Sequence, residues 1–182
     1  MKKVFLILSL VTVSASVFAQ VKKTSSATVS FDATTPKDAL PKADNKTVVG
    51  ELNTKNGQIG FEATVKNFAF TNEMIQDHFN GEKWLNSAKF PTFTFVGKLS
   101  DLSKVKFDKP GTYTVPVSGE LTVKDVTKPV NTNATIEVVA GGAIKTSASF
   151  TIKLADYGIT GAPIDAGKIA TEPKITVSAE LK

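Results

Sequence analysis

The chain has 182 residues, 22 basic against 17 acidic side chains, one histidine and no cysteine. No disulfide, Cys-His pair or His-rich metal site can be built from that inventory. The lysines are scattered rather than clustered, which argues against a nucleic-acid surface.

Residues 1–19 read as a targeting segment. Lys2 and Lys3 give a basic start, Val4–Val13 an apolar run too short to span a bilayer, and Val17-Phe18-Ala19 a small-residue cleavage site. The division is therefore a signal peptide at 1–19 and one domain at 20–182. Without Lys2 and Lys3 the net charge falls from +5 to +3. A missing cysteine excludes a lipid anchor at the cleavage site, and no later apolar run is long enough for a transmembrane segment. The expected location is periplasmic or secreted.

Val21–Ala27 is polar and reads as a lead-in. Ala27–Asp32 alternates with Ala27, Val29 and Phe31 on one side, the period of a strand. Prolines at 36 and 41 mark an irregular connection. Lys46–Asn53 and Gln58–Lys66 flank Asn56-Gly57, a strong hairpin signal. After Val65 the parity slips, because Phe68 and Phe70 are apolar at even positions. A bulge or bend near Asn67 would restore them to one face. Thr71 or Asn72 can cap a helix, with Met74, Ile75, His78 and Phe79 at helical spacing and Gly81 as its stop. Trp84 and Leu85 follow in a further turn, so the helical insertion covers about 71–88. Pro91 ends it by forcing Phe90 toward extended geometry.

Five more strands follow, at 92–99, 113–124, 126–139, 144–154 and 174–182, separated by Lys109-Pro110-Gly111, Gly141-Gly142 and a Gly/Pro-rich loop at 155–173. Pro116 falls on the outward side of its strand, which suggests an edge or bulge there. The result is all-β: eight mostly antiparallel strands, each with one apolar face. A single sheet of that size would leave its apolar face exposed, so it closes into a barrel or folds into a sandwich; a regular eight-strand meander favours the barrel, whose interior is either filled or holds one ligand.

Catalytic signals are sparse. There is no G-x-S-x-G motif, His78 sits on an amphipathic turn suited to packing or capping, and strand acids fall outward. Asp101, Asp125 and Asp156 lie at strand ends, as turn residues or as part of a mouth. No cofactor and no enzymatic activity are expected. The remaining candidates are apolar: Phe61, Phe68, Phe70, Met74, Phe79, Trp84, Phe93, Phe95, Val117, Leu121 and Phe150. They either fill the barrel or line a cavity, with small inward residues such as Gly50, Gly97 and Gly119 leaving room. The residues alone leave both readings open.

The run MIQDHFNGEKWLNSAKFPTFTFVGKL at Met74–Leu99, SGELTVKDVTKPV at Ser118–Val130 and FTIKLADYGI at Phe150–Ile159 resemble the YceI-like family. That resemblance implies an eight-stranded antiparallel barrel of extended lipocalin type, capped by the helical insertion and enclosing an apolar tunnel. It also implies binding of a polyisoprenoid, an isoprenoid quinone or a fatty amphiphile, without metal. A homodimer is left open. In two places the chain departs from the family pattern: Asp125 stands where many members have Gly, and Leu154 where many have Arg.

Overall fold

The computed structural model describes residues 20–182; the expected signal peptide lies outside the described residues. The strands are β1 (Val21–Asp32), β2 (Lys42–Asn53), β3 (Gln58–Thr64), β4 (Ala69–Phe70), β5 (Thr92–Leu99), β6 (Gly111–Val123), β7 (Val126–Val138), β8 (Ile144–Thr151) and β9 (Lys174–Leu181). Every pairing is antiparallel. β1 pairs with both β2 and β9, so the sheet closes into a barrel of eight long strands, with the two-residue β4 laid on the start of β2. Closure removes the edges that an open sheet would expose.

The two ends of the barrel differ. One is joined by short connections at 54–57, 100–110 and 139–143. The other carries the long ones, 65–91 and 152–173, beside 33–41 and the two-residue hairpin turn Lys124-Asp125. At the short-loop end the interior is filled: Leu52, Val115, Ile136, Ile144 and Leu181 are fully buried.

The insertion forms as its sequence predicts. The Asn72 side chain accepts a hydrogen bond from the Ile75 N–H and starts α1 (Glu73–Asn80), and the Gly81 N–H donates to the His78 carbonyl at its end. The parity slip before it is a 3₁₀ turn at Val65–Asn67. The turn buries Phe68 and carries the chain to β4, which pairs Phe70 with Ala43. Pro116 sits at neither a bulge nor a sheet edge: it pairs with Asn133, one residue past the last β5–β6 pair, and its carbonyl accepts from Ser100 N–H, so its missing N–H falls where the β5 ladder has ended.

Three boundaries differ. β1 starts at Val21, because Val21–Thr24 pairs with Gly50–Asn53. A register shift between Thr24 and Ala27 breaks the alternation there and hides the strand from a period-two reading. β2 starts at Lys42 rather than Lys46, with a second shift between Asn45 and Val48. Asn45 holds that bulge. It is wholly buried, its Nδ2 donates to the Thr64 carbonyl at 2.9 Å, and its Oδ1 accepts from the Thr47 N–H and hydroxyl, both at 2.9 Å. β8 ends at Thr151 rather than Leu154, and the loop after it contains a 3₁₀ turn (Leu154–Tyr157) and a single-turn helix, α2 (Ala162–Asp165).

Candidate functional site

In an antiparallel pair, directly opposite residues emerge on the same face of the sheet. The inward faces of the long-loop half carry Val29 and Phe31 on β1, Phe61 and Ala63 on β3, Phe93 and Phe95 on β5, Leu121 on β6, Val130 on β7, Phe150 on β8 and Val177 on β9. These side chains do not fill the interior. Between them lies a cavity with about 1180 Å³ of empty space, counting the part continuous with solvent. The side-chain core at the short-loop end closes it below, and Phe68, Phe79, Trp84 and Leu85 of the insertion contribute to its wall. The only polar residues on the wall are Thr94, Thr132 and Thr146, and none is charged. A space of this kind gives water few partners and suits an apolar occupant.

The aromatic rings make the room by lying flat. A side-chain carbon on Gly119 would come within 2.6 Å of the Phe95 ring, and one on Gly97 within 2.8 Å of it. Gly50 is covered by the Phe61 ring in the same way. These glycines are seats for rings, not vacant volume; each ring occupies the wall layer and leaves the centre clear. On the insertion side Phe79 stands at the middle of an aromatic group, edge-to-face with Phe31 at 5.8 Å between centroids and tilted against Phe68 at 5.8 Å and Phe70 at 4.8 Å, and Phe68 meets Phe93 edge-to-face at 5.8 Å. Those contacts fix the insertion over the barrel end as a lid.

One seam of the wall is unzipped. β7 pairs with β6 along its whole length, Val126 to Val138. Its pairing with β8 covers only Ala134–Val138. Beyond Ala148 the chain follows β9 instead, through Thr151–Lys174 and onward by Ile152 N–H to Pro173 O and Leu154 N–H to Thr171 O. Thr132 Oγ1 bridges the start of the seam by donating to the Ser149 carbonyl at 2.9 Å, and the Leu154–Tyr157 turn packs on β7 above it. Val130, Ile152 and Leu154 face the cavity from either side.

Of the eleven apolar residues singled out in the sequence, Phe61, Phe68, Phe79, Trp84, Phe93, Phe95, Val117, Leu121 and Phe150 are on the cavity wall. Phe70 is not; it backs Phe79 and Phe31 from outside. Met74 is 68% exposed, because at the second position of a short helix it points away from the face that buries Phe79. Leu85 and Ile159 reach the wall from irregular segments and carry no periodic signal. Val29, Phe31, Ile152 and Leu154 were legible from strand parity alone.

None of the residues on the cavity wall is titratable. His78 is exposed on α1. Asp101 caps the 3₁₀ turn at Leu102–Lys104, where bonds from Ser103 hold its carboxyl below the usual range, and it belongs to the short-loop end. Asp125 and Asp156 are exposed at the lid end. Burial pushes the Tyr157 phenol up, with the neighbouring Asp156 charge adding to the shift. Among the described residues no group of three or more His, Cys, Asp or Glu could hold a metal ion, and no helix is long and apolar enough to cross a membrane.

A closed antiparallel barrel of eight long strands with a helical lid and an apolar interior belongs to the extended lipocalin-like class. The sequence matches the YceI-like domain model over residues 12–181, and the chain belongs to that family. The fold is similar to that of a polyisoprenoid-binding domain from Saccharophagus degradans implicated in plant cell wall breakdown, at 15% identity and a TM-score of 0.74 over 90% of this chain and 98% of that one. It is also similar to BcnA of Burkholderia cenocepacia, at 18% identity and 0.70 over 86% and 96%. A YceI protein of Campylobacter jejuni aligns at 19% identity and 0.54 over 75% and 81%. Among curated proteins no sequence matches this one.

Proposed function

We propose that the protein binds a long-chain apolar lipid, a polyisoprenoid or a similar amphiphile, in the barrel cavity and carries it without covalent chemistry. The observation that carries this reading is a barrel filled at one end and empty at the other, whose empty half has an uncharged wall of phenyl rings and aliphatic side chains. The driving force is burial, roughly 0.8 kcal/mol for each methylene withdrawn from water. Affinity then grows with chain length. The lining residues in this reading are Phe61, Phe93, Phe95, Leu121 and Phe150 on the strands, with Phe79 and Trp84 in the lid. Residues 1–19 act as a cleaved signal peptide, and the carrier works in the periplasm or outside the cell.

The test is organic-solvent extraction of protein purified from its own cells. A stoichiometric long-chain lipid in the mass spectrum is expected; an empty extract would support a side-chain-filled module with no ligand. Phe95→Asp puts a carboxylate into the apolar wall and is expected to abolish retention of lipid. Lys98→Asp, on the outward face of the same strand, is expected to retain it. Equal lipid content in the two variants refutes the reading.

A further inference from the structure

We propose that Lys128 holds an anionic headgroup, a phosphate or carboxylate, on the ligand whose chain occupies the cavity. The inference rests on the lipid-carrier reading and specifies the class of lipid. Lys128 lies directly opposite Leu121 in the β6–β7 ladder, and Leu121 is on the cavity wall. Lys128 therefore emerges on the inward face, two residues above Val130. The other inward residues of the eight long strands in this half of the barrel are uncharged: Phe31, Asn45, Ala63, Phe93, Val123, Phe150 and Ile175 occupy the comparable levels. A lysine there runs its methylenes up the apolar wall and delivers its ammonium to the mouth.

Three further observations fit an anion at that place. Lys128 is half-buried and has no carboxylate partner; the ion pairs among the described residues are Lys23–Glu51 and Lys182–Glu180, both far from the lid end. Asp125 in the adjoining turn and Asp156 in the turn packed on β7 are exposed and make no ion pair with it. Lys128 also borders the unzipped seam. Because Val123 and Val126 close a two-residue hairpin as a hydrogen-bonded pair, alternation turns the backbone N–H groups of Thr127 and Asn131 toward that seam, where no strand receives them. An oxyanion at the mouth meets the Lys128 ammonium beside a stretch of β7 that lacks a ladder partner on this side. Finally, the chain contains no arginine, so a permanently cationic side chain for such a group is a lysine.

Trp84 is the only tryptophan and stands on the cavity wall, so its emission reports occupancy. Delipidated protein is titrated with geranylgeranyl phosphate, with geranylgeraniol, and with inorganic phosphate. The wild type is expected to bind the phosphate ester about tenfold more tightly than the alcohol, the scale of one charge-assisted hydrogen bond at a partly solvated site. Lys128→Gln is expected to bring the two within about twofold while leaving alcohol binding unchanged, and Lys98→Gln to behave as wild type. Inorganic phosphate at millimolar concentration is expected to leave the emission unchanged, since it lacks the chain. A wild type without preference, or a preference that survives in Lys128→Gln, overturns the headgroup assignment while lipid binding stands. A protein that takes up neither prenyl compound overturns the carrier reading and this inference with it.

Discussion

At the scale of single residues, the glycines and Asn45 do what apolar side chains alone cannot. Phe95 lies across the opposed pair Gly97 and Gly119, and Phe61 across Gly50, so large rings occupy the wall without crossing the barrel axis. A methyl at Gly119 would also meet the Val96 carbonyl at 2.6 Å, a backbone atom that cannot swing aside. Asn45 supplies both halves of an amide to a bulge that would otherwise bury unpaired backbone. Asn45→Ala removes the donor to Thr64 O at the end of β3 and the acceptor of the Thr47 N–H and hydroxyl. The expected loss is about 2 kcal/mol of unfolding free energy, from the hydrogen bonds of a wholly buried amide, measured by urea denaturation.

At the scale of elements, the lid is held by aromatic packing rather than by its own helix. α1 has eight residues, below the length at which an isolated helix is stable in water. Phe79, the one buried side chain of α1, anchors it to Phe31, Phe68 and Phe70. Phe79→Ala is expected to cost about 3 kcal/mol and to loosen the lid. Trp84 fluorescence should then be quenched more strongly by acrylamide than in wild type; unchanged quenching would show that the insertion holds without this ring. On the opposite side, the seam arises from a choice of partner: β8 stays with β9 and lets β7 go, and the Leu154–Tyr157 turn fills behind it.

At the scale of the whole molecule, the barrel divides its interior between stability and capacity. The filled short-loop half supplies core; the open half forgoes contacts a filled barrel would have. The pH dependence of stability reflects the same division, because the groups with shifted ionisation lie outside the cavity. Tyr157 is 3% exposed, and its phenol is raised above the ordinary value of 10.0. The unfolded chain therefore loses that proton first, and stability falls as the pH rises past 10. Tyr157→Phe is expected to weaken this alkaline loss, read as melting temperature against pH from 8 to 12. Asp32, held low chiefly by the Thr34 hydroxyl and N–H, acts with the opposite sign: its contribution is present above the ordinary carboxylate range and is lost as the pH falls through the lowered value.

The sequence by itself determined the strands and their apolar faces. Period-two alternation at Ala27–Phe31, Ile59–Ala63 and Tyr113–Val123 puts one apolar face on each strand, which a barrel or a sandwich can bury; the pairing of β1 with both β2 and β9 makes it a barrel. The sequence also determined the lid, since Asn72, Phe79, Gly81 and Pro91 are local signals. The early starts of β1 and β2 were hidden because bulges at 24–27 and 45–48 break the period on which the reading depends. Whether the barrel was full or hollow could not be read from residue types, since Phe95 fills or lines depending on how its ring is turned. Tertiary structure decided it through Gly97 and Gly119, which come together only when β5 and β6 pair and which let that ring lie flat. The seam beside Lys128 was likewise settled by tertiary structure, because it depends on which neighbour β8 keeps, a competition between non-local pairings that no single strand encodes.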